Sequence, residues 1–384
     1  MKPIPYGRQD VTAEDIAAVD AVLRSDFLTQ GPEIPAFEAA VASACQVPHA
    51  VAVHSATAAL HIAYLALGLG PGDIVWTSPN TFVATANAAL YCGADVDFVD
   101  IDPGTLNLSV SALQRRLEDA AARGQLPRIV TAVHFAGQSC AMREIRALGE
   151  RYGFAIVEDA SHAIGGRYLD EPIGNCRYSD ITVFSFHPVK IVTTAEGGMA
   201  TTRDAALARR LELLRSHGIT RDTSRMENPA DGPWYYEQVD LGFNYRMTDL
   251  QAALGRSQMS RLQAYVERRH ALARRYDDAL RGLPLDIAER RADNRSALHL
   301  YPVRLHDATR RRAVFEALRA DGIGVNVHYI PVHLQPFYRR RGFDRGQFPV
   351  AEAYYDGAIS LPMFPRLAEA EQDYVIERLR RQLA

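Results

Sequence analysis

Cysteine is scarce in this chain: Cys45, Cys92, Cys140 and Cys176 stand far apart and form no CxxC pair. Such spacing offers neither a disulfide framework nor a zinc site, and it fits a reducing cytoplasm. Neither sign of charge dominates, because 43 Lys+Arg meet 46 Asp+Glu for a net charge of −3. A near balance leaves no electrostatic footprint for a nucleic acid or an anionic membrane. Long apolar runs are missing as well. The most apolar stretch, residues 50–69, is broken by His54, Ser55, Thr57 and His61, so no membrane span is expected. The amino terminus, MKPIPYGRQDVTAEDI, carries charges and prolines where a signal peptide needs an apolar core. Repeats and low-complexity segments are also absent. The expectation is a soluble cytoplasmic protein.

What is present is a chain of 384 residues, 47% apolar and 23% charged, enough for two packed units. Short apolar runs at 50–53, 74–78, 96–100, 129–134, 154–158 and 181–185 alternate with helical patterns at 57–67, 83–91, 109–122 and 141–152. That alternation predicts an α/β unit with a mainly parallel, doubly covered sheet. Thr12 precedes an amphipathic run with Ile16, Val19, Val22 and Leu23 on one face. RYLDEPIG (167–174) reads as a small hairpin turning at Asp170–Glu171. An Arg-rich helical stretch, 249–281, is taken as a connector to a smaller α+β region. The expected division is 1–248 and 249–384.

Four segments carry chemistry, and their order matters more than any one of them. HSATAAL (54–60) follows a strand and opens a helix. Backbone N–H groups at Ser55, Ala56 and Thr57 can cradle a phosphate there, although a plain N-cap is the simpler reading of this turn alone. Asp159 ends the run FAIVED, where α/β folds place ligands. Facing a pyridine nitrogen, it would hold that nitrogen protonated; an N-cap reading serves equally in isolation. SFHPVK (185–190) puts Lys190 just beyond a buried strand, with TTAEGGM (193–199) behind it. Desolvation there can lower the amine's pKa and suit imine formation, against the plainer reading of a solvated loop lysine. Ser185 is placed to bond the same phosphate. Finally, LGFNYRMTDLQAALG (241–255) combines polar Asn244, Tyr245 and Arg246 with a capping-box pattern at Thr248 and Gln251.

With LTQGP (28–32), TSPNTFVATANA (77–88) and VEDASHAIGG (157–166), these segments give a chain that, from residue 3 to its last residue, resembles the DegT-type (StrS-type) sugar aminotransferases. The resemblance implies a fold-type I (aspartate-aminotransferase-like) three-layer fold, pyridoxal 5′-phosphate as cofactor, a homodimer with shared active sites, and no metal. It implies that Lys190 carries the Schiff base and that Asp159 binds the pyridine nitrogen. Phe82 would stack on the ring, and His162 would lie near the phenolic oxygen. Ala56, Thr57 and Ser185 would hold the phosphate, joined by Asn244 from the other subunit. Tyr6, the turn Asp26, Phe27, Leu28 and Thr29, and the segment Asn326, Val327, His328 and Tyr329 match the region that contacts the sugar nucleotide. Within the family, SFHPVK–TTAEGG and the opening PYGRQ…SDFLTQGP are most similar to the pseudaminic acid branch. That branch implies a UDP-linked 4-keto sugar and L-glutamate as partners. Ser-Ala-Thr stands where many members have Gly-Thr, and Ile191 where Pro or Asn is usual. A branch with histidine in place of the lysine performs dehydration, and Lys190 argues against it.

Other features invite readings that the sequence favours less. His187, His328 and His333 lie on separate segments without ligand-spaced partners, which speaks against a metal site. The run RRRGFDR (339–345) could meet a pyrophosphate, but a solvated loop is the plainer expectation. The aromatics of WYYE (234–237) suit packing between subunits. A desulfurase or lyase would need a nucleophilic cysteine on a mobile loop, and a cofactor-binding regulator would need an appended basic domain. Neither is visible.

Overall fold

The computed structural model describes residues 3–384. A seven-stranded sheet runs in the spatial order His49–Val53, Gly198–Thr202, Ile181–Ser185, Ala155–Asp159, Ile129–Val133, Ile74–Thr77, Asp95–Phe98. Six of these strands run parallel; Gly198–Thr202 is antiparallel to both neighbours. Helices cover both faces, and the central strands are buried throughout (Ile129–Val133, Ile181–Ser185) as the unbroken apolar runs require. The six runs read from the sequence all become strands, their ends shifted by two residues at most. Gly198–Thr202 was missed. Its residues, GMATT, open on glycine, and only Thr201 and Thr202 carry β-branching, so neither an apolar run nor alternation announces a strand.

Residues 167–172 form the expected hairpin, and Asn294–Arg295 adds a third strand to it. The carboxyl-terminal region builds a three-stranded antiparallel sheet, Leu285–Ile287, Tyr301–Leu305 and Ala358–Leu361. Leu272, Tyr276, Val303, Val314, Leu318, Val375 and Leu379 form an apolar core against that sheet. Ile4 joins this core, because residues 4–6 cross over to it: Ile4 N–H donates to Gly322 O at 2.9 Å and Met363 N–H to Tyr6 O at 2.9 Å.

Two expectations need correction. The stretch 249–281 is two helices, Asp249–Met259 and Leu262–Leu280. At the break Ser260 Oγ donates back to Ser257 O at 2.7 Å, and the Arg261 guanidinium bonds Asp15 at 2.7 Å; such back-bonding competes with the helical ladder. The first helix, Ala13–Leu23, leaves Ile16 and Leu23 exposed (64% and 59%) and buries Val22 with Asp15 instead. Asp15 accepts from Ser257, Gln258 and Arg261, so a polar contact orients this helix rather than its apolar stripe.

Candidate active site

Each parallel strand ends at the same edge of the sheet, and a cavity of about 620 Å³ opens there. Ligands in open α/β sheets bind at such carboxyl ends. Residues from every part of the chain line it: Tyr6, the turn at Ser55, Ala56 and Thr57, then Phe82, Asp159, His162, Ser185, Lys190, and Asn326 through Tyr329. These are sequence candidates brought together across more than three hundred residues of chain.

The phosphate-sized turn is built by packing as much as by its own residues. Ser55 caps the helix Ala56–Ala66, its Oγ accepting from Ala58 N–H at 3.2 Å. Beneath it runs the antiparallel strand that begins at Gly198. A Cβ on Gly198 would lie 2.5 Å from the Ser55 carbonyl and 2.6 Å from Ala56 N, so only glycine lets the two backbones meet. The neighbouring Gly197 is equally confined, by Thr194 Oγ1 and Met247. The helix Asp249–Met259 then locks this loop. Gln251 closes the capping box with Thr248 and donates from Nε2 to Glu196 O at 2.8 Å.

Asp159 ends its strand with both carboxylate oxygens engaged. Thr85 Oγ1 donates to Oδ2 at 2.7 Å, while Ser161 donates to Oδ1 from its N–H (3.1 Å) and its Oγ (2.6 Å). Since the Thr85 proton is committed to Asp159, Thr81, 2.8 Å away, must donate to Thr85. Such a clamp leaves the carboxylate little freedom to turn. Lys190 lines the same cavity on the turn after Ile181–Ser185, its N–H bonded to His187 O at 2.9 Å. Burial pushes its amine down from 10.5 to about 8, with Asp159 pulling the other way. Near neutrality such an amine spends a real fraction of its time as a free nucleophile.

A histidine wall closes the cavity behind these groups. The rings of His162 and His299 lie 4.5 Å apart, and burial together with the Lys190 charge holds His162 well below its usual pKa. His328 is pushed down to about 3 by burial and Lys190. Its Nδ1 lies 2.8 Å from Ser360 Oγ. Tyr6 arrives on the crossing segment to face His328, the two rings 5.4 Å apart. Phe82 stands at the mouth, 60% exposed. Thr81, Thr85, Ser161, Glu196 and His299 line the cavity without having been singled out. Thr85 sits on the helix Val83–Tyr91 and Ser161 on the turn after Asp159, and their part as props for that carboxylate is set by tertiary packing that no periodicity reports.

Two groups of candidates lie elsewhere. Asn244 is exposed, paired by its backbone with Ser216. Asp26, Phe27, Leu28 and Thr29 are exposed and tied instead to the start of the helix Asp249–Met259, where Asp249 N–H donates to Leu28 O at 3.0 Å. Neither group lines this cavity. The arginine run is also a surface feature: Arg339, Arg341 and Arg345 pair with Asp344, Asp95 and Asp356. Among the described residues, no group of three or more His, Cys, Asp or Glu is placed to hold a metal ion. No helix among them is long and apolar enough to cross a membrane.

The profile of the DegT/DnrJ/EryC1/StrS aminotransferase family matches residues 9–380. Spore coat polysaccharide biosynthesis protein SpsC of Bacillus subtilis is 39% identical over 383 residues, covering 98% of this chain and 96% of that protein. Among solved structures, Helicobacter pylori PseC, an aminotransferase involved in the biosynthesis of pseudoaminic acid, superposes with a TM-score of 0.92 at 29% identity. The match covers 100% of this chain and 99% of PseC. The putative sugar aminotransferase Spr1654 of Streptococcus pneumoniae, in its PMP form, gives 0.90 at 30% identity, over 99% and 98% of the two chains. The lysine beyond a buried strand, the clamped aspartate, the capped turn and the whole architecture agree: this chain belongs to the DegT/DnrJ/EryC1/StrS aminotransferase family, fold-type I enzymes that use pyridoxal phosphate.

Proposed function

We propose that the enzyme moves an amino group from L-glutamate to C4 of a UDP-linked 4-keto-6-deoxy sugar. The substrate in this reading is UDP-2-acetamido-2,6-dideoxy-β-L-arabino-hex-4-ulose, and the product is UDP-4-amino-4,6-dideoxy-N-acetyl-β-L-altrosamine. One observation carries the aminotransferase part: a lysine with its pKa lowered to about 8 shares a cavity with a triply hydrogen-bonded aspartate and a capped helix amino terminus. Similarity to PseC at a TM-score of 0.92 favours the particular sugar.

The residues divide the work. N–H groups of Ala56 and Thr57, with the hydroxyls of Ser55 and Ser185, hold the cofactor's phosphate. Asp159, fixed by Thr85 and Ser161, keeps the pyridine nitrogen protonated, and Phe82 covers the ring face. Bound pyridoxal phosphate supplies the electron-withdrawing ring that makes the proton on the amine-bearing carbon removable. Lys190 would anchor it through the aldehyde carbon, and its amine, lowered to about 8, would serve as the base that takes that proton and the acid that returns it to the carbon on the far side of the nitrogen. Tyr6, Asn326, Val327 and His328 face the sugar nucleotide.

Asn244 and the turn Asp26, Phe27, Leu28 and Thr29 serve the site of a second subunit in this reading. Their exposure supports it, as do the uncovered Phe27, Leu28, Trp234 and Leu241, between 50% and 75% exposed. The enzyme is then a homodimer in the cytoplasm. A second reading keeps the chemistry and changes the sugar to the D-xylo UDP-4-keto isomer or a dTDP-linked 3- or 4-keto sugar.

The experiment offers purified protein and glutamate each of the L-arabino and D-xylo UDP-4-keto sugars, with products identified by mass and NMR. Amination of the L-arabino form supports the first reading; amination of the D-xylo form alone refutes it and leaves the class intact. Lys190→Ala should lose turnover and the visible absorbance that pyridoxal phosphate gives the wild type. Full activity in that variant would remove Lys190 from the mechanism.

A further inference from the structure

The cavity holds a hydroxyl whose proton has been assigned a direction by its neighbours. Ala136 N–H donates to His162 Nδ1 at 3.3 Å. An imidazole nitrogen that accepts carries no proton, so in the neutral ring the proton is on Nε2. His162 Nε2 lies 3.0 Å from Tyr329 Oη. The histidine therefore donates to the tyrosine, and the tyrosine's own O–H has no role in that contact. It must point elsewhere, and Tyr329 borders the cavity.

We infer that Tyr329, aimed by His162, is the hydroxyl that hydrogen-bonds the phenolic oxygen of bound pyridoxal phosphate. The inference rests on the pyridoxal phosphate reading given above and changes one part of it. Family resemblance sets His162 itself at that oxygen, but both of its ring nitrogens are already engaged, one by Ala136 and one by Tyr329. The chemistry of the ring supports the choice of acceptor. On pyridoxal the phenolic oxygen sits on the carbon next to the one bearing the aldehyde, and the phosphate arm leaves from the carbon on the other side. An aldehyde held by Lys190 and a phosphate held at residues 55–57 turn the phenolic oxygen away from that turn, toward another wall. His162 and Tyr329 form such a wall, their rings stacked at 21° and 6.1 Å. Phe82 and Phe135 flank Tyr329 at 6.3 and 6.2 Å, and Tyr354 donates to the preceding carbonyl, His328 O, at 2.9 Å. Burial keeps the phenol protonated and His162 neutral, so the direction of donation holds across the working pH range.

The titratable groups around this hydroxyl are Asp159, Lys190, Tyr6, His162, His328 and Tyr354. A donor to the phenolic oxygen favours its ionised form. The test loads wild type, Tyr329→Phe, His162→Gln and His162→Leu with pyridoxal phosphate and follows the visible absorbance of each against pH. Tyr329→Phe should retain the absorbing species and shift its titration midpoint upward by about one pH unit, a tenfold change. His162→Leu should shift it in the same direction by less. His162→Gln should restore the wild-type midpoint, because its amide oxygen can accept from Ala136 and its NH₂ can donate to Tyr329. A Tyr329→Phe protein with the wild-type midpoint overturns the inference. So does a His162→Gln midpoint as displaced as that of His162→Leu. A wild type that develops no visible band with pyridoxal phosphate overturns the cofactor reading itself, a separate and recognisable result. Circular dichroism of each variant separates these effects from misfolding.

Discussion

Lys190 shows how one side chain links stability to chemistry. Its amine is lowered to about 8 in the fold, against 10.5 for an ordinary lysine. Between those values the unfolded chain binds more protons than the folded one, so stability rises as pH climbs from about 8 toward about 10.5. In cofactor-free protein, Lys190→Met should flatten that rise, seen as a smaller difference in urea midpoint between pH 8 and pH 10. An unchanged slope would mean that the amine is not desolvated. The same shift predicts that capture of pyridoxal phosphate by the apoprotein speeds up through pH 8, a stopped-flow absorbance measurement. Gly198 acts through what it lacks. Adding one methyl, Gly198→Ala, should push the strand off the Ser55 turn, at a cost of about 1–3 kcal/mol, and should weaken cofactor affinity more than it lowers Tm. Lys190 and Asp159 were legible in the sequence because both sit at strand ends within distinctive residue patterns. Thr85 was not: a threonine in a helix bears no mark of the carboxylate it will meet 74 residues later.

At the scale of elements, Asp249 joins two segments that are far apart in sequence. Its carboxylate accepts from Gly31 N–H at 2.8 Å and Glu33 N–H at 2.9 Å, serving the open amino end of the helix Glu33–Cys45. Its own N–H bonds Leu28 O. Gly31 has to be glycine, since a Cβ would lie 2.5 Å from that of Phe27. The LTQGP and NYRMTD motifs thus form one junction, which orients the 26–29 turn. Asp249→Ala should cost roughly 2 kcal/mol, read as a lower urea midpoint, because two N–H groups lose a charged acceptor. Asp249→Asn, which keeps one acceptor, should fall between wild type and Asp249→Ala; equality with wild type would show that a single neutral acceptor suffices at this junction. Helix and strand positions were readable from periodicity, yet their pairing was not, as the buried Asp15 and the exposed Ile16 demonstrate.

For the whole molecule, Arg269 is the clearest case of a residue that only the assembled fold explains. It is 1% exposed, and its Nη1 donates to the carbonyls of Leu298, His299 and Met363 at 3.0–3.2 Å. The helix Leu262–Leu280 is thereby fastened to the floor of the cavity, since His299 packs on His162. Arg269→Ala leaves three carbonyls short of a donor beside a void and should cost roughly 3 kcal/mol in thermal or urea unfolding. Lys in its place should recover only part of this, as it lacks the planar fork.

The sequence alone determined the class of fold, the strand ends and the residues bearing distinctive chemistry, because backbone periodicity and small-residue turns are local properties. Which distant groups meet was decided by tertiary structure. The crossing of residues 4–6 brings Tyr6 to His328, the antiparallel strand at Gly198 underlies the phosphate turn, and His162 sets the direction of the Tyr329 proton. Each depends on contacts across the folded chain, whose geometry has no counterpart in residue order.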